Sequence, residues 1–149
     1  MITKFCSNYF SVKNEHEFEA MMRVAGFALE DGTLFCKTTH DGNKRYSFRG
    51  EEQLAGGILK DEFLLYAEEV DEELAYYEPE EVFCIILQKH VRAGDCIVMQ
   101  RIETDEPCYL SADVCFITPK EIQYTSLYDI TEEMTQKLMG PTFYVEYNY

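Results

Sequence analysis

The side chains with most chemistry to offer are three histidines, His16, His40 and His90, and six cysteines, Cys6, Cys36, Cys84, Cys96, Cys108 and Cys115. Structural zinc sites take their ligands from closely spaced pairs such as Cys-x-x-Cys, and no two of these cysteines stand that close. His16-Glu17 opens like the helix of a zinc protease, but the position where the second histidine would stand is Ala20. His90 lies among the apolar residues of an expected helix, where a half-buried structural histidine is the ordinary outcome. Each cysteine has apolar or aromatic neighbours, so the six read as reduced thiols that act as small core residues, which suits a cytoplasmic protein. A nucleophile elbow, a phosphate loop and a dinucleotide fingerprint are all absent from the sequence. Asp41-Gly42-Asn43 lacks the rest of a calcium loop. A triad dispersed along the chain stays open. The residues themselves favour a protein that is not an enzyme and takes neither metal nor cofactor.

The constellation that stands out is electrostatic. The chain has 28 acidic and 13 basic residues in 149, a formal net charge of −15. Twelve of the acids lie between Glu51 and Glu81 with Lys60 as the one base, a net of −11; the other sixteen acids and twelve bases net −4. Such a field repels nucleic-acid backbones and anionic lipid and attracts basic surfaces. The candidate partner-binding residues are Glu62, Glu68, Glu69, Asp71, Glu72, Glu73, Tyr76, Glu78, Glu80 and Glu81. Aromatic side chains among charges are what a protein–protein interface uses, and Tyr66, Tyr76 and Tyr77 stand close to these acids. The plain alternative is a solvated acidic face, with Tyr66 and Tyr77 serving the core.

These residues need elements to position them. Phe63, Tyr66, Val70, Leu74 and Tyr77 recur at the one-face rhythm of a helix and predict one over 61–77. On it, Asp61, Glu68 and Glu72 share one flank and Glu62, Glu69 and Glu73 the next. Like charges four apart disfavour a helix by a few tenths of a kcal/mol per pair, a cost that interleaved lysines would avoid. A helix of that length spans about 25 Å at 1.5 Å per residue. A DNA strand shows about seven phosphates over the same distance.

Pro79 suits the first turn of another helix, with Val82, Phe83, Ile86, Leu87, His90 and Val91 as its stripe and Gly94 beyond it. Earlier, a strand is expected over 4–12. Asn14 follows as the cap of a helix whose stripe is Phe18, Met21, Met22 and Ala25 and whose stop is Gly26. Asp31-Gly32 and Asp41-Gly42 punctuate short strands over 27–30, 33–38 and 44–48. A loop is expected over 50–57. Further on come strands over 96–102, 108–118 and 122–127, separated by turns at 103–107 and Pro119-Lys120. A short helix over 129–138 ends at Gly140-Pro141, and the tail alternates Phe143, Val145, Tyr147 and Tyr149 as a half-buried strand would.

Helices and antiparallel hairpins mix without a β-α-β rhythm, so the expected class is α+β: a single domain over 1–149, an antiparallel sheet with three to four helices packed against it. With 46% apolar and 14% aromatic residues, the chain can fill a core. The start has no basic region leading into a long apolar stretch, and no window approaches a membrane span.

Asn8-Tyr9-Phe10-Ser11-Val12 before a capped helix, Ala93-Gly94-Asp95 before a strand, and Leu127-Tyr128-Asp129-Ile130 at the last helix resemble small acidic accessory proteins of plasmids, conjugative elements and phages. Members of that group with assigned roles include antirestriction and anti-CRISPR inhibitors, several of which look like DNA mimics. The resemblance implies a non-enzymatic inhibitor of a CRISPR effector or other nuclease, its acidic face lying in a basic nucleic-acid channel. It transfers no specific residues. An immunity protein that neutralises a basic toxin has the same charge logic, as does an accessory interaction protein, and both stay open beside it.

Overall fold

A computed structural model describes residues 2–51, 61–105 and 109–145, with side chains over 3–51, 61–104 and 110–145. Six strands, β1 Ile2–Ser7, β2 Leu34–Thr38, β3 Lys44–Glu51, β4 Ile97–Asp105, β5 Tyr109–Ile117 and β6 Ile122–Ser126, form one sheet in the order β2-β3-β1-β4-β5-β6. Every neighbouring pair is antiparallel. Four α-helices accompany it: α1 Glu15–Val24, α2 Asp61–Val70, α3 Pro79–His90 and α4 Leu127–Met139. The class is α+β. The first strand in sequence sits at the centre, between the β2-β3 hairpin and the β4-β5-β6 meander.

Side chains alternate across a strand, and the register decides which of them share a face. Phe5 on β1 stands opposite Arg101 on β4 and Gly50 on β3. The face it defines carries Leu34, Tyr46, Phe48, Ile97, Cys115 and Ile117, all buried. Helices α1, α2 and α3 bring Phe18, Met21, Met22, Phe63, Ala67, Val82, Phe83, Ile86 and Leu87 into the same core. Phe83 is its hinge: its ring lies 5.8 Å from each of Phe27, Phe48 and Phe63, which ties α3 to α2 and to β3. Burying rings of this size supplies the largest share of the hydrophobic driving force. Helix α4 contacts β5 and β6 but buries none of its residues.

Several local expectations hold for the reasons given. The Asn14 side chain accepts from Glu17 N at 2.9 Å and starts α1. The Asp41-Gly42 turn joins β2 to β3 with Gly42 at φ 84°, a conformation that costs glycine no Cβ clash.

Others change. β1 stops at Ser7 because the Asn8 side chain takes over the ladder, donating to Cys96 O and accepting from Val98 N; Phe10 and Val12 then make only isolated bridges. No strand forms over 27–30. Phe27 and Ala28 turn inward and the chain reverses, with Asp31 N donating to Ala28 O. β3 continues to Glu51, into the expected loop, whose remainder lies outside the described residues. β4 runs on through Glu103 to Asp105, where the turn at 103–107 was expected to begin; the rest of that turn and Cys108 lie outside the described residues. No strand forms over 141–145, where Gly140 at φ 99° has redirected the chain; Tyr147 and Tyr149 lie outside the described residues.

Candidate functional site: an acidic face and an adjoining cavity

The helix expected over 61–77 is two helical pieces. α2 ends at Val70, Asp71 is extended at φ −154° and ψ 112°, and a 3₁₀ turn follows over Glu72–Tyr76. The Asp71 carboxylate accepts from Glu73 N at 3.0 Å, so this residue caps the second piece instead of continuing the first. Electrostatics favours the break. In one continuous helix Glu72 and Glu73 would extend the negative C-terminal end and face Glu68 and Glu69 four residues back. After the break they occupy the positive first turn of a new piece. The shared flanks read from the sequence are therefore not built, and α2 alone spans about 15 Å. The stripe breaks with it: Phe63, Ala67 and Leu74 are buried, while Val70 and Tyr77 are exposed.

The acids nevertheless form an exposed surface. Glu62, Glu68, Glu69, Glu72, Glu73, Glu78 and Glu81 are exposed, and none of them makes an ion pair with another described residue. Among them stands Tyr76, 91% exposed on the 3₁₀ turn, more open than any other large apolar side chain described. Tyr66 is turned inward instead, its ring 6.2 Å from Phe63, and burial pushes its phenol up.

Glu80 differs from its neighbours. Its two oxygens accept from Arg101 Nη1 at 2.8 and 3.1 Å. Arg101 Nη2 donates to Asp113 Oδ2 at 3.0 Å, and its Nε lies 3.7 Å from Glu103 Oε1. One guanidinium is thus surrounded by three carboxylates. Beside this cluster opens a cavity of about 550 Å³ between α3 and the β4-β5-β6 part of the sheet. Its walls carry Tyr77, Cys84, Ile85, Met99, Cys115, Ile122 and Tyr124 as well as Glu80, Glu81, Arg101 and Asp113. The Cys84 and Cys115 sulfurs meet 3.8 Å apart on its inner side.

Glu80 and Glu81 stand out in the sequence, whereas this cavity and the arginine cluster do not. One strand carries a partial signal for the arginine cluster. Ile97, Met99, Arg101 and Glu103 alternate along one face of β4, so a charged pair follows an apolar pair on the side that faces the helices.

The histidines are not brought together. His16 and His40 are exposed; His90 is half-buried with its ring 6.0 Å from Phe18, and burial holds its pKa below the usual value. Among the described residues no three His, Cys, Asp or Glu side chains are grouped to hold a metal ion, and no helix is long and apolar enough to cross a membrane. Comparison with protein-family models, with curated proteins and with solved structures finds no match for this chain.

Proposed function

We propose that the protein is a non-enzymatic binding protein whose acidic face, from the end of α2 through the 3₁₀ turn to the start of α3, occupies a basic surface on a protein partner. The observation that carries this is Tyr76, almost fully exposed in a segment that also exposes Glu72, Glu73 and Glu78, none of which pairs with a described base. A solvated face needs charge but no exposed aromatic ring. An interface gains most from such a ring at its centre, and peripheral carboxylates speed encounter with a cationic partner. The partner class that best fits a surface of this sign is an enzyme with a basic nucleic-acid channel, a CRISPR effector or another defence nuclease, which the acids would block as a competitor of the phosphate backbone. The broken helix makes this an irregular acidic ridge, not a straight row of phosphate substitutes.

The test is capture on immobilised protein at low salt, followed by competition between this protein and labelled DNA or RNA for the purified partner. Binding should weaken steeply with ionic strength, because steering between exposed charges is screened over about 8–10 Å at ordinary salt. Glu68→Lys/Glu69→Lys should remove it while the far-ultraviolet circular dichroism stays unchanged. If that variant competes as well as the wild type, the acidic face is not the contact.

A further inference from the structure

We propose that the cavity between α3 and β4-β5-β6 is a binding site for a small amphipathic amine, with its apolar body inside and its ammonium at the carboxylate end. This rests on the cavity's own chemistry and does not depend on the protein partner. A volume of about 550 Å³ lies within the range of small-molecule pockets, which are mostly apolar with a few oriented polar groups.

The strand register gives the cavity a direction. Ile117 pairs with Ile122, the next inward row joins Met99, Cys115 and Tyr124, and the row beyond holds Arg101 opposite Asp113. Side chains two residues apart on one face make successive steps along the strand. The floor therefore runs from aliphatic, through sulfur and aromatic, to charged. Helix α3 roofs it in the same order, with Ile85 and Cys84 over the apolar part and Glu80 and Glu81 one turn earlier. Thioether, thiols and phenol rings suit an aromatic or alkyl body, since sulfur makes favourable contacts at ring edges.

The charged end selects the sign of the head group. Among the described residues that line it Arg101 is the one base, and the protein has already committed it: Nη1 to Glu80, Nη2 to Asp113, Nε towards Glu103. An anionic ligand would have to displace a carboxylate to reach it. The lining carries three carboxylates, Glu80, Glu81 and Asp113, against this one guanidinium. Glu81 has no ion-pair partner among the described residues. The uncompensated charge is negative, and Tyr77 and Tyr124, which also line the cavity, offer aromatic rings that attract a cation. An ammonium is the head group this end accepts.

The experiment titrates the protein with 4-phenylbutylamine, 4-phenylbutanol and 4-phenylbutanoate, three probes with one body and different heads, and follows the cavity residues by NMR. Shifts at Met99, Cys84 and Cys115 with the amine at least tenfold tighter than the alcohol, and the carboxylate weakest, are expected. Glu81→Gln, on an exposed helical turn where the fold tolerates it, should weaken the amine several-fold and leave the alcohol unchanged. Ile85→Trp should fill the cavity and abolish binding of all three. Equal affinity for amine and alcohol would overturn the assignment of the head group, a preference for the carboxylate would make Arg101 the recognising group instead, and silence at the cavity residues up to millimolar probe would overturn the site itself.

Discussion

Replacing Arg101 with Met removes the guanidinium that pairs with Glu80, Asp113 and Glu103. The size of the effect follows from burial. The Arg101 side chain is 21% exposed and that of Asp113 16%, whereas Glu80 is 47% exposed. Breaking a fully buried pair costs about 3–5 kcal/mol, because a charge is left without a partner or water. An exposed pair is worth about 0–1 kcal/mol. The Arg101–Asp113 pair lies near the first limit and the Glu80 contact near the second, which puts the variant about 2–3 kcal/mol below wild type. For a chain of this size that lowers Tm by about 5–10 °C. Adding Asp113→Leu should return about half of the loss, since an ion pair replaced on both sides by apolar groups of similar volume is roughly neutral. Urea unfolding of the four proteins in the double-mutant cycle measures this directly. A single variant within about 0.5 kcal/mol of wild type, or a double variant whose losses simply add, would refute the view of this cluster as one electrostatic unit.

Two other predictions follow from burial. His90 has a folded pKa below its unfolded value of about 6.5, chiefly through desolvation, so the unfolded chain takes up the proton first as pH falls. Its contribution to stability is complete above the unfolded value and is lost as pH falls towards the folded one; His90→Gln should flatten the stability–pH curve below about 6.5, and an unchanged slope would contradict the burial of this ring. The contact with Cys115 and desolvation hold the Cys84 thiol protonated, and both sulfurs are buried. At about pH 8, iodoacetamide should label the exposed Cys6 well before Cys84 and Cys115, which it can reach only through the cavity they line; labelling of either buried thiol as fast as Cys6, read by peptide mass, would contradict their burial.

How much of this was legible depended on whether a signal was local. The Asn14 cap, the Asp41-Gly42 turn and the Pro79 start are each fixed by a residue and its next few neighbours, and they are where the sequence placed them. The strand order was not legible. β1 pairs with β4 across about ninety residues, and nothing near Phe5 says that Arg101 is opposite. The cavity was invisible for the same reason, because it exists only where α3 crosses strands paired in that register. The misplaced helix over 61–77 is a different kind of miss. Its apolar rhythm holds at Phe63 and Leu74, but rhythm continues through a capping residue that the backbone does not, and Asp71, one acid among many in the sequence, acts as a cap.

The same capping logic separates acids that local energetics explains from those it does not. Within twenty-one residues the chain starts three helical pieces, and each has two acids in its first turn: Asp61 and Glu62, Glu72 and Glu73, Glu80 and Glu81. There the helix dipole stabilises carboxylates, so these six would be favoured in a protein with no partner. Glu68 and Glu69 are placed the other way. They stand in the last turns of α2, at its negative end, and that helix has no base in its last turn. Replacing both with lysine should therefore stabilise the fold, by about 0.5–1 kcal/mol in urea unfolding at low salt. The proposed function requires the same variant to lose partner binding. Gain of stability with loss of binding is the signature of residues kept for an interface at the expense of the fold. If the variant is less stable than wild type, the acids at 68 and 69 hold α2 in some other way, and the electrostatic reason for the break at Asp71 falls with them.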